Sequence, residues 1–264
     1  MAESPEGFLL AGLKIRGRLR LVSKTELQIG EVWDARTAGL PSELHPGVVH
    51  LWQLPLHASA EEVSAYYRLL SSEEQERALR FRVDRPRTEF VLTRGTLRTL
   101  LAQYLGSTPQ EVQFRYELRG KPALEGESGL CFNVSHTDGL ALMAFVMRRT
   151  IGIDVENMGR DVDAQRLAER FFSAREVKAL KRLNREELRA AFFRCWTRKE
   201  AYIKAKGAGL SLPLHEFDVS IMRNETDALL ATRPDPAESD RWMVCDVPVG
   251  PGYTAALAVR KDVA

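Results

Sequence analysis

The sequence predicts an α+β fold of two similar lobes, each a small sheet packed with about three helices. Two observations support this prediction. Apolar strand patterns and longer helical patterns follow one another in the same order twice along the 264 residues. A shift of 101 residues also lays the strand Val48–Leu54 on Arg149–Val155 and Ser72 on Ser173. Such a repeated order indicates two related lobes, and ligands favour the interface between them.

The composition is typical of a globular protein. Hydrophobic residues make up 44% of the chain and charged residues 28%. No apolar run approaches the roughly 20 residues that span a bilayer, so no membrane partner is expected. A net charge of +2 is too small to indicate a nucleic-acid partner. The three widely spaced cysteines indicate free thiols in a reducing cytoplasm.

Residues 1–47 are interpreted as an N-terminal extension without an assigned role. Within it, Leu13–Leu21 alternates apolar and basic residues, as a strand with one basic face would. An edge hairpin or a loose basic arm explains this pattern without any function.

The first lobe is predicted over residues 48–148. Ser72-Glu-Glu-Gln75 has the form of a capping box, and a long helix is expected with Asp84 as N-cap and Gly106 at its end. The predicted strands are Val48–Leu54, Val112–Tyr116, Leu130–His136 and Leu140–Met147, and the predicted helices are Glu61–Leu70, a helix from Ser72, and about Arg85–Leu105.

The second lobe is predicted over residues 149–264 and repeats this order. A proline-rich, charged stretch at 233–240 is typical of a surface loop. The predicted strands are Ile151–Glu156, Phe217–Ile221, Trp242–Val247 and Tyr253–Val259, and the predicted helices are about Asp163–Arg170, Ala174–Leu183 and Arg185–Lys206.

The strand Ile151–Glu156 carries two acids, Asp154 and Glu156, that point to the same face. Neighbouring carboxylates repel each other unless water or a cation separates them. A solvated strand face is one interpretation. A Mg²⁺ site is the other, because this ion prefers oxygen ligands, and Glu200 would supply a third.

The long second-lobe helix places Trp196, Glu200 and Lys204 four residues apart, on one side of the helix. Gly207 and Gly209 then end the helix. Taken alone, Glu200 and Lys204 would be a solvent-facing ion pair. The aromatic residue before them and the glycine-rich loop after them favour a functional site.

Three further residues are candidates for contact with a phosphate. Lys121 lies between a glycine and a proline, where a surface turn is the simpler interpretation. Ser135 and His136 end a strand near the rim of the sheet. A lone histidine there is usually a polar rim residue, but beside a serine and a lysine it could donate to a phosphate oxygen.

Arginines on the first-lobe long helix add positive charge. Arg87, Arg94 and Arg98 lie on one side of it, which is usually a solvated or ion-paired face. Arg85 and Arg87, in the first turn, are the better ligand candidates because helix N-termini favour anions.

Glu176 has two interpretations. It is a candidate catalytic acid in the stretch Phe171–Glu176. Ser173-x-x-Glu176 is also a capping box, which explains the glutamate without any chemistry.

Four ordered blocks resemble the Sfp-type 4′-phosphopantetheinyl transferases. They are Gly120-Lys-Pro122, Phe132-Asn-Val-Ser-His136, Ile151-Gly-Ile-Asp-Val-Glu156, and Trp196-Thr-Arg-Lys-Glu-Ala-Tyr-Ile-Lys204 continuing to Gly207 and Gly209. The fourth block is long and specific, and the sequence keeps it without departure. The resemblance covers about Val48 to Val259.

The resemblance implies a 4′-phosphopantetheinyl transferase-like fold, a monomer with coenzyme A bound between pseudo-symmetric lobes. By likeness to the family, Asp154, Glu156 and Glu200 would hold Mg²⁺ against the pyrophosphate of coenzyme A. Lys204 would lie near the leaving phosphate.

The same resemblance implies the contacts to coenzyme A. Lys121, Ser135 and His136 would touch it, the last two through its 3′-phosphate. Arg85 and Arg87 fall where the family often carries phosphate-binding basic residues.

The implied reaction moves phosphopantetheine from coenzyme A to a serine of an acyl or peptidyl carrier protein. Glu200, Glu176 or a metal-bound water could be the base that takes the serine proton. Basic residues after Asp161 could face an acidic carrier, or form a solvated helix surface; they are Arg166, Arg170, Arg175, Lys178, Lys181 and Arg182. A non-catalytic coenzyme A-binding module and a metal-dependent phosphohydrolase are the alternative functions.

Overall fold

The computed structural model describes residues 27–39, 44–117, 120–207 and 209–261. This part of the chain contains eleven strands and six α-helices. The strands are β1 (Gln28–Asp34), β2 (Val48–Pro55), β3 (Phe114–Tyr116), β4 (Pro122–Leu124), β5 (Leu130–Thr137), β6 (Leu140–Met147), β7 (Ile151–Asn157), β8 (Phe217–Val219), β9 (Leu229–Thr232), β10 (Trp242–Asp246) and β11 (Tyr253–Arg260). The helices are α1 (Ala60–Tyr67), α2 (Ser72–Leu79), α3 (Asp84–Leu105), α4 (Ala164–Phe171), α5 (Ala174–Leu180) and α6 (Arg185–Lys206).

Two sheets form the centre of the molecule. The first has the strand order β1-β2-β6-β5 and the second the order β10-β11-β7. Strand β1 runs parallel to β2, and the other pairs in both sheets are antiparallel. The α+β fold of two lobes expected from the sequence is confirmed. Because β1 lies within residues 1–47, part of the predicted extension belongs to the first sheet.

The two sheets share one apolar core. Val49 and Leu51 of β2 lie in the same buried cluster as Ile153 and Val155 of β7. The opposite face of each sheet packs on the long helix of its own lobe: α3 in the first and α6 in the second. Residues that alternate along β2 and β7 therefore face either the other sheet or the long helix.

The long helices end as their sequences predict. Each stops at a glycine in the left-handed conformation, Gly106 with φ 65° and Gly207 with φ 63°. Helix α6 begins with a capping box between Asn184 and Glu187. Helix α3 differs from the prediction: its N-cap is Val83, without a side-chain hydrogen bond, so the assignment of Asp84 as N-cap was wrong.

The short helices that precede α3 and α6 show that the two lobes are related by a shift other than the predicted 101 residues. The capping serine of α2 is Ser71, paired with Glu74, and not Ser72. In α5 the cap is Ser173, paired with Glu176. The shift between these pairs is 102 residues. The same shift lays Val49 and Leu51 of β2 on Ile151 and Ile153 of β7, and all four side chains face the core between the two sheets. The predicted shift of 101 would turn every side chain of the strand to the opposite face.

Other differences concern short elements. Strands β1, β4 and β9 were not predicted, and the expected loop at 233–240 contains a short 3-10 helix at Pro236–Arg241. The alternating stretch Leu13–Leu21 lies outside the described residues. Within the described ranges, no helix is both long and apolar enough to cross a membrane.

Candidate active site between the lobes

The site lies where edge strand β5 of the first lobe runs beside β7 of the second. These strands are joined by side chains: three polar residues of β5, at alternate positions, accept hydrogen bonds from N–H groups of β7. The pairs are Asn133 Oδ1 with the N–H of Ile153 (2.9 Å), Ser135 Oγ with Val155 (3.3 Å) and Thr137 Oγ1 with Asn157 (3.3 Å). We call this contact between β5 and β7 the seam between the lobes. Its three hydrogen bonds fix the positions of Asp154 and Glu156 relative to the first lobe.

Gly152 allows helix α6 to press directly on β7. A Cβ atom at this position would overlap the carbonyl oxygen of Ala201 and the backbone nitrogen of Ala205. Only glycine permits two backbones to approach this closely. The last turns of α6, which carry Glu200 and Lys204, are thus held against the acidic strand.

Asp154, Ser135 and Lys204 form a compact hydrogen-bonded cluster. The Lys204 ammonium lies 2.6 Å from Asp154 Oδ1 and 2.8 Å from Ser135 Oγ. The Ser135 hydroxyl donates to the same Asp154 oxygen at 2.9 Å. Asp154 is 5% exposed, and its second oxygen, Oδ2, is buried without a hydrogen-bond partner. The expected surface ion pair of Glu200 with Lys204 is replaced by a partly buried one between Lys204 and Asp154.

Glu156 and Glu200 complete an acidic group around this cluster. Burial raises the pKa of the Glu200 carboxyl above its ordinary value. The charges of Asp154 and Glu156 raise this pKa further, against the effect of Lys204. Burial also raises the pKa of Glu156, although Arg160 stabilises its ionised form through an ion pair of 2.8 Å. The three acids are therefore close enough to repel one another.

The donor chemistry of this group fits Mg²⁺, which prefers carboxylate oxygens. The unpartnered Asp154 Oδ2 and the raised pKa values of the two glutamates are features that a bound cation would relieve. Among the described residues, however, no group of three or more His, Cys, Asp or Glu side chains is arranged so that it could hold a metal ion.

Trp196 serves the packing of the second lobe. Its ring lies 5.9 to 6.1 Å from the rings of Phe171, Phe172 and Phe192, centroid to centroid. The residue anchors the same helix face that carries Glu200 and Lys204 one and two turns later. Its contribution to the site is thus through the position of α6.

Lys121 does not point toward open solvent. Its ammonium donates to the backbone carbonyl oxygens of Lys204 (2.8 Å), Ile151 (3.1 Å) and Ala205 (3.4 Å). Burial lowers the pKa of Lys121. The residue therefore connects the first lobe to the C-terminal end of α6.

His136 and Arg85 lie at the rim of the seam. His136 is exposed. The surrounding protein lowers its pKa by desolvation; Glu89 opposes this change and Lys204 adds to it. Arg85 is exposed and forms ion pairs with Glu89 and Asp138. Both side chains can meet an anion that enters from this side.

The three arginines on one side of α3, at positions 87, 94 and 98, lie in two different environments. Arg94 and Arg98 are buried and share the carboxylate of Glu74, each at 2.6 Å. They are structural, as the ion-paired interpretation predicts. Arg87 is half-buried and borders a cavity between α1 and α3, together with Tyr67.

Glu176 lies in the core of the second lobe and is 1% exposed. Its carboxylate accepts the N–H of Ser173, completing a capping box, and the N–H of Val219 at 2.7 Å. It also pairs with Lys199 at 2.8 Å. These contacts support the structural interpretation, and they do not bring Glu176 to the cluster around Asp154.

Comparisons with known proteins agree with this geometry. Residues 150–258 match the model of the 4′-phosphopantetheinyl transferase superfamily. Residues 55–147 match a second model, described as 4′-phosphopantetheinyl transferase, N-terminal. The two matches divide the chain at the junction between the lobes.

Curated relatives cover most of the chain. The 4′-phosphopantetheinyl transferase HetI of Nostoc sp. is 41% identical over 80% of this chain and 87% of its own length. The 4′-phosphopantetheinyl transferase ffp of Bacillus subtilis is 29% identical over 77% and 88%. Sfp of Bacillus subtilis is 29% identical over 62% and 71%.

The chain belongs to the 4′-phosphopantetheinyl transferase superfamily. The family and the class of enzyme, a transferase, are as predicted from the four sequence blocks. The site geometry joins three of those blocks directly: Ser135 comes from the second, Asp154 from the third and Lys204 from the fourth.

Asn133 and Thr137 are site residues that the sequence analysis did not identify. Both support β7 from the neighbouring strand. A signal was present, because polar residues stand at alternate positions 133, 135 and 137 of the strand, with the apolar Val134 between the first two. Their hydrogen-bond partners, however, are backbone groups of another lobe.

Proposed function

We propose that the chain transfers the 4′-phosphopantetheine group of coenzyme A to a serine of an acyl or peptidyl carrier protein, at the seam between the lobes. The products are the holo carrier protein and 3′,5′-ADP. The observation that carries the proposal is the cluster of Asp154, Ser135 and Lys204, bordered by Glu156 and Glu200. The superfamily supplies the class of reaction.

In this reaction the carrier serine oxygen bonds to the β-phosphorus of coenzyme A as the bond from that phosphorus to the bridging oxygen breaks. The bridging oxygen leaves with 3′,5′-ADP. The serine hydroxyl is a weak nucleophile, so a base must take its proton as the new bond forms.

Glu200 is the base that the site supports best. A cation held by the Glu200 carboxylate would lower its pKa and weaken it as a base, so this role would use a carboxylate oxygen that the ion leaves free. In the described part of the chain Glu200 forms no hydrogen bond or ion pair, so its oxygens are available to a substrate. Glu176 is less suited, because its carboxylate is buried and already engaged with Lys199 and Val219.

Lys204 places a positive charge at the centre of the cluster. The ammonium is held by Asp154 and Ser135 and remains partly exposed, with 30% of its side chain accessible. A cation fixed in this way can stabilise the charge that develops on a leaving phosphate.

Mg²⁺ is the proposed cofactor, held by Asp154, Glu156 and Glu200. When bound, the ion would neutralise charge on the pyrophosphate of coenzyme A. The unpartnered Oδ2 atom of Asp154 supports this assignment.

For coenzyme A, His136 and Arg85 are the contacts that exposure favours, with the 3′-phosphate as their target. Arg87 of the same helix borders the cavity between α1 and α3 instead, so it is a weaker candidate for this contact. Ser135 would need to exchange one of its present partners to reach a phosphate, because its hydroxyl already has three.

The chain is proposed to act as a cytoplasmic monomer on a carrier that docks near the basic residues after Asp161.

Mass spectrometry of an apo carrier protein tests the proposal. The carrier is incubated with coenzyme A, Mg²⁺ and this protein, and the expected result is a gain of one phosphopantetheine group on a serine. Release of 3′,5′-ADP without a gain on the carrier would indicate a phosphohydrolase. Binding of coenzyme A without either product would indicate a non-catalytic module.

A further inference from the structure

The hairpin of β3 and β4, in the first lobe, reaches the C-terminal end of α6, in the second. Its turn at Gly120, with φ 78°, directs Lys121 toward the helix end. The carboxylate of Glu117, from the same hairpin, lies close to the α6 C-cap, 3.1 Å from where a Cβ of Gly207 would stand. The hairpin therefore meets α6 at the turn that carries Lys204.

The contacts of Lys121 use all three hydrogens of its ammonium. Two go to the last turn of α6, on the carbonyl oxygens of Lys204 and Ala205, and the third to Ile151 at the start of β7. Carbonyl groups in the last turn of a helix are not all satisfied within it and carry partial negative charge, although that of Lys204 also accepts the N–H of Gly207 at 3.2 Å. A buried ammonium is well matched to them, and it ties α6 and β7 together from the opposite lobe.

The position of this helix end determines where the Lys204 ammonium can lie. Lys204 reaches Asp154 Oδ1 at 2.6 Å and Ser135 Oγ at 2.8 Å, and its own carbonyl is held by Lys121 at 2.8 Å. At Gly152 the backbones of α6 and β7 are so close that there is no space even for a Cβ atom. A small shift of the last turn would therefore move the Lys204 side chain along the acidic strand.

We propose that Lys121 is a positioning residue, which holds the end of α6 so that Lys204 meets Asp154 and Ser135. This inference rests on the proposed function, in which Lys204 stabilises the leaving phosphate. It differs from direct recognition of coenzyme A, because every hydrogen of the ammonium is already given to backbone carbonyls. Loss of Lys121 should impair the transfer step and leave the affinity for coenzyme A intact.

The experiment compares Lys121→Met with the wild type in two measurements: affinity for coenzyme A by calorimetry without carrier, and the single-turnover rate of transfer. The expected result is a rate lower by about 10- to 100-fold, since small misplacements of reacting groups have effects of this size, with unchanged affinity. Weaker coenzyme A binding with a wild-type rate would overturn the proposal. Lys206→Met, on the same turn but paired with Glu238, is the matched control and should keep both values.

A double-mutant cycle shows whether Lys121 acts through Lys204. The rate of Lys121→Met/Lys204→Ala should equal that of Lys204→Ala alone. Losses that multiply would refute the positioning role while leaving the proposed function standing. A wild-type rate for Lys204→Ala would instead count against the role of Lys204 in that function.

Lys121→Arg covers the case in which the methionine variant does not fold. A guanidinium keeps the charge and binds phosphate well, but its planar geometry cannot reproduce three hydrogen bonds from one atom. We expect wild-type affinity for coenzyme A and a reduced rate. A wild-type rate in this variant would contradict the inference.

Discussion

The same position in the two lobes is apolar core in one and carries the acids of the proposed site in the other. In the first lobe, the residues of β2 that face α3 are Trp52 and Leu54, both fully buried. In the second lobe, the residues of β7 that face α6 are Asp154 and Glu156. One scaffold thus packs a hydrophobic layer in one copy and repelling carboxylates in the other.

The two lobes share an arrangement beneath these layers, which we call the frame: a short helix joined to the long helix by buried ion pairs. Each has a short helix with a capping-box glutamate, Glu74 or Glu176, that turns back to the long helix. In the first lobe its partners are Arg94 and Arg98, and in the second its partner is Lys199. Buried ion pairs therefore hold the short helix to the long helix in both lobes, whereas of β2 and β7 only β7 carries acids on the face toward its long helix.

The largest expected effect is at Gly152, where α6 presses on its strand. The corresponding residue of β2 is His50, whose ring is accommodated beside Tyr104 of α3 at 2.8 Å. Gly152→Ala should lower the free energy of unfolding by more than about 4 kcal/mol, since the added atom meets backbone that cannot yield. Urea denaturation measures this loss. Gly250→Ala, which meets nothing within 4 Å, is the control, and an equal loss in both would show that the close approach is unimportant.

The frame glutamates come next. Glu74→Gln and Glu176→Gln should each destabilise the protein by about 3 kcal/mol or more, because each leaves a buried cation unpaired. Burial raises the pKa of Glu74, but a hydrogen bond from Arg98 and the charges of Arg94 and Arg98 outweigh it and lower this pKa. Its contribution to stability should therefore be lost as the pH falls through that lowered value.

The transfer rate per folded molecule separates the two interpretations of Glu176. If its role is structural, Glu176→Gln should transfer phosphopantetheine at the wild-type rate. A lost rate with unchanged stability would make Glu176 a catalytic residue and break the parallel with Glu74.

Asp154→Ala tests the face that differs between the lobes. We expect transfer to fall by about 10²- to 10³-fold, the usual result of removing one electrostatic contact in a reactive site. Single-turnover transfer to a carrier protein measures this rate. Glu169→Ala, which removes an exposed acid of α4, should have no effect, and near-full activity of Asp154→Ala would show that the acidic face is not the site.

The smallest effect, on stability, is expected for Glu200→Gln. Because the pKa of Glu200 is raised, its ionised form opposes folding at neutral pH, and this opposition disappears as the pH falls below the unfolded-state pKa of about 4.3, where the carboxyl is protonated in both states. The variant should therefore be more stable than the wild type at pH of about 7 and similar to it in acid. A stability difference that is independent of pH would argue against the shifted pKa.

Much of the frame could be predicted from local patterns. The bounds of α6 and β6 match the prediction, and the shared face of Asp154 and Glu156 follows from strand alternation. Capping boxes and C-terminal glycines are local signals, so they mark helix ends reliably. The error at Ser72 arose because Ser71 and Ser72 are both possible caps, and only the structure shows which hydroxyl accepts the helix N–H.

What could not be predicted depends on contacts between distant segments. Strand β1 owes its place to pairing with β2, and its own residues alternate weakly. The partners of Lys121 are backbone carbonyls, which leave no trace in the sequence of residue types. The same is true of Asn133, whose partner is an N–H group of the other lobe.

The central claim is that carboxylates of β7 and α6 act together in one site. Calorimetric titration of Mg²⁺, in the presence of coenzyme A, tests it without relying on turnover. The wild type should bind the ion, and Asp154→Asn and Glu200→Gln should each weaken this binding strongly. Wild-type Mg²⁺ affinity in either variant would contradict the claim.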